Sequence, residues 1–251
     1  MTTFIIALLA VLAATAASAG DNQACAVAAH FISPDHPLPR VKAAIADKRL
    51  DVVVVGSASS RLDGATDNQK AYPARLEAAL AERLPGVAVK VVAYARPRET
   101  AALMAQQIER SLSADKPALV VWQTGTVEAM RRIDMDQFQA ALEAGFAAAQ
   151  SGKSDIILMN MQYSPRTESM IAVPPYAETM RFVALQHEVL LFDRFAVMRH
   201  WSELGTFDFV EATKKIDTAA RVHDCIGRLL ADLIVQAAMI RGSSAHNGKS
   251  P

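Results

Sequence analysis

Four consecutive valines, residues 52–55, are followed by Gly56 and then by a Ser-Ala-Ser-Ser segment, residues 57–60. An apolar run without alternation is typical of a parallel strand buried on both faces, and the small residues after it indicate a tight turn. Ligands of open α/β sheets bind beyond the carboxyl ends of such strands. The serine hydroxyls are therefore candidate nucleophiles, although the same residues could simply form a turn that caps the next helix.

Short apolar segments alternate with segments of helical periodicity along the chain. The apolar segments are residues 51–55, 87–94, 117–123, 155–161 and 189–192, and the helical segments are residues 72–84, 99–112, 136–150, 175–187 and 219–240. This alternation predicts βαβ units that form a parallel sheet with helices on both faces. Because neither an internal repeat nor a linker divides it, we predict one α/β domain over residues 50–241.

The N-terminal segment has the features of an export signal. Residues 4–17 are apolar, and Ala17-Ser18-Ala19 forms a small-x-small cleavage site. We predict a signal peptide over residues 1–19 and a periplasmic or secreted protein. An uncleaved membrane anchor is the alternative, but the apolar run is short for a membrane span. Residues 20–49 form a polar, proline-containing lead-in, and residues 242–251 are predicted to be a disordered tail.

Charge and cysteine content narrow the possible partners. Lys and Arg together number 26, as do Asp and Glu, and no basic cluster favours nucleic acid. Cys25 and Cys225 are the only cysteines, and in an oxidising compartment we predict that they form a disulfide. Because no Cys/His cluster has metal-ligand spacing, we predict no metal, and nothing in the sequence indicates a cofactor.

The polar segments that follow the predicted strands should meet at one edge of the sheet. We expect the strand ends at Gly56, Ala95 and Gly125 to form one cleft. We also expect this cleft to include His223, which is placed just before the last helix.

These segments resemble the SGNH (GDSL-like) hydrolase family over residues 51–238. The resemblance rests on the turn at Gly56, the segment 72–76, the pair at 99–100, the segment 122–125 and His223 near the last helix. It implies a flavodoxin-like three-layer sandwich with a central parallel five-stranded sheet, and hydrolysis of ester-linked acyl groups. The implied site has a Ser nucleophile, a His base and an Asp three residues before the His. A Ser amide, a Gly amide and an Asn side chain hold the oxyanion.

The chain departs from the family pattern at most of these positions. The nucleophile position, two residues after the glycine, is Ala58. The glycine of the second block falls near Arg98, the asparagine falls on Val127 and the aspartate falls on Ala220. Only His223 is retained. An alanine cannot form an acyl-enzyme and a valine cannot donate to an oxyanion.

Two functional hypotheses follow. In the first, the protein hydrolyses an acyl ester of a glycan, a lipid or a small molecule, with Ser57 as nucleophile, His223 as base and Asp217 as the orienting carboxylate. In the second, a degenerate member of the family binds an acyl or glycan ligand, or a partner protein, without turnover. The implied pocket is lined by Gly56, Ala58, Ser59, Arg98, Gly125, Thr126 and Val127. The hypotheses differ in whether a hydroxyl lies within hydrogen-bond reach of His223.

Overall fold

The structure, a computed structural model, describes residues 25–62, 67–210 and 216–240. The predicted signal peptide and the predicted tail lie outside these residues. The described strands are β1 Arg49–Gly56, β2 Ala88–Ala95, β3 Leu119–Gln123, β4 Asp155–Met159 and β5 Leu190–Phe192. The described helices are α1 Pro39–Ala46, α2 Tyr72–Arg83, α3 Ala101–Ala114, α4 Thr126–Arg131, α5 Met135–Ser151, α6 Pro165–Met170, α7 Val173–Gln186, α8 Arg194–Glu203 and α9 Ile216–Met239.

All five strands are parallel, and their order across the sheet is β2-β1-β3-β4-β5. Strand β1, the second strand of the sheet, pairs with β2 along its whole length, so that Gly56 lies opposite Ala95, and it pairs with β3 on its other side. Because the strands are parallel, their carboxyl ends share one edge. The predicted fold class, an α/β sandwich around a five-stranded parallel sheet, is confirmed.

Alternate valines of β1 face opposite sides of the sheet, as the period of a strand requires. Val52 and Val54 belong to a core that includes Leu76 of α2 and Ile226 of α9. Val53 and Val55 belong to the second core, which includes side chains of α3, α5 and α7. The unbroken valine run is therefore explained by helices that cover both faces.

Helices α2 and α9 pack closely enough to fix the relative position of their side chains. A methyl group placed on Gly227 of α9 would lie 2.8 Å from the backbone nitrogen of Leu76 and 2.7 Å from Cβ of Arg75. Only a glycine permits this approach. The contact holds α9 against the first turns of α2, and this brings His223 beside Tyr72.

The described part of the predicted lead-in, residues 25–49, contacts the rest of the described domain. Cys25 and Cys225, the only two cysteines, form the predicted disulfide, with an S–S distance of 2.03 Å and a Cα–Cα distance of 5.0 Å. Asp155 at the start of β4 accepts hydrogen bonds from the backbone N–H groups of Arg40 and Val41, at 2.8 and 2.9 Å, which satisfies the N-terminus of α1. Burial raises the pKa of Asp155.

Four helices are absent from the sequence-based prediction: α1, α4, α6 and α8. Each is short, with between 6 and 10 residues, so that hydrophobic periodicity has little length in which to appear. Within the described residues, none of the helices has the length and apolar character needed to cross a membrane.

Candidate functional site at the carboxyl end of the sheet

The chain doubles back tightly after β1. A single 3-10 turn spans Ala58–Ser60, and the N–H of Ser60 donates to the carbonyl of Ser57 at 3.0 Å. A methyl group on Gly56 would lie 2.1 Å from Oγ of Ser60 and 2.9 Å from its Cβ, so a side chain at Gly56 would displace the Ser60 side chain. The absence of a side chain at Gly56 therefore lets the Ser60 hydroxyl approach the end of the strand.

The hydroxyls of the turn converge on Gln123, the last residue of β3. Its Oε1 accepts from the Ser57 N–H at 3.3 Å and from the hydroxyls of Ser57, Ser59 and Ser60 at 3.2, 2.8 and 3.0 Å. The backbone N–H can only donate, which fixes the oxygen rather than the nitrogen of the amide toward the turn. The nitrogen of this buried amide has no hydrogen-bond partner among the described residues. The serine hydroxyls are thus directed at a carbonyl oxygen, not at a base.

Tyr72 and Arg194 contact the serines that surround Gln123. The Tyr72 hydroxyl lies 2.9 Å from Oγ of Ser60, and the Arg194 guanidinium lies 5.6 Å from the centre of the Tyr72 ring. Arg194 is 1% exposed and donates through Nη1 to the carbonyl of Ser59 at 3.1 Å. Burial lowers the pKa of Arg194 to about 10 and raises the pKa of Tyr72 to about 12. Arg194 is therefore a buried cation, and within the described part of the chain no carboxylate pairs with it.

His223 satisfies the N-terminus of α2. Its Nδ1 accepts from the backbone N–H of Tyr72, the first residue of that helix, at 2.9 Å. An imidazole that accepts through Nδ1 while neutral carries its proton on Nε2. Burial, with the nearby Arg194 charge as the smaller cause, lowers the pKa of His223 to about 3. His223 is therefore neutral at pH 7, and the nitrogen that would have to accept a serine proton is already protonated.

The three residues of the predicted catalytic set do not form a triad. Ser57 and His223 are both buried, yet no hydrogen bond joins these two described side chains. Asp217 is exposed in the first turn of α9, six residues before His223, which puts it on a different face of the helix. It cannot orient His223, because Nδ1 already accepts from a backbone N–H. His223 lies within α9, inside the helical segment 219–240 that the periodicity indicates, and not before the last helix.

The aspartate next to His223 in the chain is also committed elsewhere. Asp224 accepts from Nε of Arg228 at 2.8 Å and lies 3.7 Å from Nε of Arg75. Ala220, the position to which the resemblance assigns the orienting aspartate, is half-buried and has no carboxylate. The described residues therefore supply no acid to the imidazole.

The remaining predicted pocket residues are dispersed around the same edge. Ala58 is exposed and Ser59 is half-buried, so these two form the accessible rim of the turn. Arg98 is exposed with a φ of 64°. Val127 is buried, and Thr126 is half-buried with an unpaired hydroxyl.

Gly125 begins α4 with a φ of 97°, a conformation that favours glycine. Its N–H donates to the carboxylate of Glu128 at 3.0 Å, and the same carboxylate accepts from the N–H of Ala101 at 2.6 Å. Glu128 is 1% exposed. It therefore caps α3 and α4 together, and the Gly125 amide is not free to bind an oxyanion.

Sequence reasoning missed Gln123, Tyr72, Arg194 and Glu128. One signal was present for Gln123, which is a polar residue at the end of an otherwise apolar strand. Arg194 gave no signal, because a charged residue after a strand is ordinarily exposed.

Grooves on the surface of the described part of the chain include three that lie away from the turn or meet only its end. The first, of about 410 Å³, is at the amino end of β4 beside Arg40 and His187, and the third, of about 500 Å³, is beside Phe31 and Leu233. The second, of about 360 Å³, runs along β2 and reaches the turn only at Ser60 and Arg61. None of the three includes Ser57 or His223. The described residues also contain no group of three or more side chains suited to hold a metal ion.

The fold and its carboxyl-edge turn define the class as an SGNH-hydrolase-like α/β protein. The model of the Non-GDSL lipase-like family matches residues 24–240. The chain therefore belongs to the Non-GDSL lipase-like family. No curated protein sequence matches the chain.

Solved structures with the same fold are esterases and related hydrolases of low sequence identity. LAE5, an α/β hydrolase from the metagenome of Lake Arreo in Spain, is 18% identical with a TM-score of 0.59, and covers 75% of this chain and 96% of its own. A catalytic mutant of Axe2, an acetylxylan esterase from Geobacillus stearothermophilus, is 18% identical with a TM-score of 0.58 over 74% and 94%. AlinE4, an SGNH-hydrolase family esterase, is 21% identical with a TM-score of 0.51 over 62% and 80%.

Proposed function

We propose that this protein is a non-hydrolytic member of its family, which binds an acyl or glycan ligand at the carboxyl edge of the sheet without turnover. The observation that carries this proposal is the engagement of the serine hydroxyls by Gln123. A serine becomes a nucleophile when an adjacent base accepts its proton. The amide oxygen of Gln123 is far too weak a base for that role, and it occupies the hydrogens of Ser57 and Ser59.

The state of His223 supports the same proposal. In a serine hydrolase, Nε2 accepts from the nucleophile while Nδ1–H donates to a carboxylate. Here Nδ1 accepts from the Tyr72 N–H, so the two nitrogens have the opposite roles. A tautomer change would break that hydrogen bond and leave the Tyr72 N–H without its partner. The retained histidine therefore has a structural role that is sufficient to explain its presence.

We infer the ligand class from solved structures with the same fold, and the binding surface from the residues of the site that are exposed. Axe2 is an acetylxylan esterase and AlinE4 is an esterase, so acyl esters and acylated glycans are the ligands to test first. The accessible part of the turn is Ala58 with Ser59, and the exposed Arg98 follows the neighbouring strand. A ligand bound there would contact the methyl group of Ala58, at the position that the resemblance assigns to the nucleophile.

We further propose that the protein is exported to the cell envelope or beyond. Residues 4–19 have the pattern of a signal peptide. The Cys25–Cys225 bond is consistent with an oxidising compartment. Mass spectrometry of the protein from its native host tests this proposal, since export with cleavage gives a chain that begins near Gly20. A mature chain that still begins at Met1 would contradict it.

The functional proposal is tested by hydrolysis of a nitrophenyl acetate with purified wild type, Ser57→Ala, His223→Ala and Ala58→Ser. We expect wild type and both alanine variants to be indistinguishable from the uncatalysed rate. Brisk turnover by wild type that both alanine variants abolish would instead establish Ser57 as nucleophile and the hydrolase hypothesis as correct. Activity in Ala58→Ser alone would show that only the reacting atom has been lost.

A further inference from the structure

Gln123 has an unusual role in this site, because a single oxygen receives all the donors of the turn. Four donor groups lie between 2.8 and 3.3 Å from its Oε1. A carbonyl oxygen has two lone pairs, so it is supplied with more donors than it can fully use. This arrangement of one backbone N–H and three hydroxyls around an oxygen is that of a binding site already occupied.

The rest of the Gln123 amide does not match its surroundings. The nitrogen is buried and has no hydrogen-bond partner in the described part of the chain, and this is unfavourable for a group with two N–H donors. The amide therefore fits the site through its oxygen only. An occupant with acceptors alone, such as a carboxylate, would satisfy the same donors without burying an unpaired donor of its own.

The buried charge of Arg194 also favours a carboxylate. Arg194 is buried and donates a hydrogen bond to the Ser59 carbonyl. Its Nε has no hydrogen-bond partner among the described residues. Hydrogen bonds to an ionised acceptor are roughly twice as strong as those between neutral groups. A buried cation next to four convergent donors favours an occupant rich in negative charge.

We propose that Gln123 is an internal ligand of the 57–60 turn. Its Oε1 fills a donor cluster that binds the sp² oxygen of a small carboxylate or amide when the glutamine side chain is removed. The inference goes beyond the proposed function, because it concerns what the donors of the turn bind and does not depend on whether the protein hydrolyses esters. It also identifies the contact that closes the site in this structure.

The experiment replaces the internal oxygen with one supplied from solution. Gln123→Ala removes the amide and leaves its four donors facing the vacated space. We expect the thermal midpoint to fall by roughly 5 °C relative to wild type. Sodium acetate and acetamide are then titrated separately, with sodium chloride at equal ionic strength as the salt control. We expect both to raise the midpoint of Gln123→Ala with the logarithm of their concentration, acetate more than acetamide.

Gln123→Met is the matched control. Methionine has a similar length and carries neither amide atom, so it leaves the donors unsatisfied while filling the space. We expect this variant to lose stability and to show no shift with acetate or acetamide beyond the salt control. Wild type should likewise show none. Gln123→Ser, which leaves a smaller space, serves as a second test variant if Gln123→Ala does not fold.

The outcomes separate this inference from the proposed function. If neither Gln123→Ala nor Gln123→Ser responds to acetate or acetamide, the donor cluster is not a binding site and the inference is wrong, whatever the esterase assay gives. If Gln123→Met responds as strongly as Gln123→Ala, the stabilisation is not at the vacated oxygen site, and the inference is equally wrong. If the rescue occurs and wild type hydrolyses esters, the proposed function fails while the donor cluster stands.

Discussion

The Nδ1 atom of His223 accepts a hydrogen bond from the backbone N–H of Tyr72 at 2.9 Å. This contact joins the last helix to the start of α2, and it lies on the side of the sheet where the turn after β1 meets Gln123. It gives the one histidine that matches the family pattern a role in holding two helices together.

The first prediction concerns the acceptor that His223 provides. His223→Ala leaves a buried N–H at the start of α2 unpaired, which should lower the free energy of unfolding by about 1–3 kcal/mol. His223→Asn keeps an acceptor near the position of Nδ1 and should recover part of that loss. Urea denaturation of the three proteins measures the difference. Equal losses in both variants would mean that ring packing, not the hydrogen bond, is what His223 contributes.

The second prediction concerns pH. The pKa of His223 is lowered to about 3 in the folded chain, whereas an unfolded histidine titrates near 6.5. Between these values the unfolded state binds a proton that the folded state does not, so stability is fully present above pH 6.5 and is lost as pH falls. The slope is at most about 1.4 kcal/mol per pH unit. His223→Asn is the reference, because the carboxylates titrate in both proteins and their contribution cancels when the two unfolding free energies are subtracted. A difference between wild type and His223→Asn that does not change between pH 7 and 4 would contradict this account.

The third prediction concerns the disulfide. Cys25 and Cys225 are separated by 200 residues, and the chain-entropy model gives a loop of this length on the order of 5 kcal/mol. Replacing both by Ser should lower the free energy of unfolding by up to that amount. Denaturation with and without a reducing agent checks the assignment, because the reductant should destabilise wild type and leave the double variant unchanged.

The fourth prediction compares two glycines that lie in equally close contacts. A methyl group on Gly227 would meet the backbone of Arg75 and Leu76, which cannot move aside, whereas a methyl group on Gly152 would meet only the Leu112 side chain, at 2.7 Å. Gly227→Ala should therefore cost about 1–3 kcal/mol of unfolding free energy and Gly152→Ala clearly less. Thermal denaturation ranks them. The opposite ranking would mean that α2 and α9 are less tightly held than their contact indicates.

Much of the fold could be predicted from the sequence, because buried parallel strands consist of consecutive apolar residues. The valines at 52–55 face two cores, and their strand and the other four strands of the sheet lie where the pattern put them. Helix α1 could not be found in this way, since its anchor is Asp155, which is more than a hundred residues away in the chain.

The candidate site was less accessible to sequence reasoning. Gly56 ends β1, and Ser57 and Ser59 follow it in the turn, while His223 contacts Tyr72, whose hydroxyl lies beside Ser60. The partners of these residues are set by tertiary contacts. That Gln123 accepts from the turn depends on β3 lying next to β1, which no local pattern specifies. The position of Asp217 also depends on the fold, since the helix that contains both residues starts earlier than expected and Asp217 is exposed in its first turn.

The central claim is that no serine of the turn is activated as a nucleophile. The most direct measurement exposes purified wild type to a fluorophosphonate probe, in which a nucleophilic oxygen forms a P–O bond as fluoride leaves, and then locates any adduct by peptide mass spectrometry. We predict that Ser57, Ser59 and Ser60 remain unmodified, as in protein unfolded before exposure. Stoichiometric labelling of Ser57 that is lost in His223→Ala would contradict the account and establish a working serine–histidine pair.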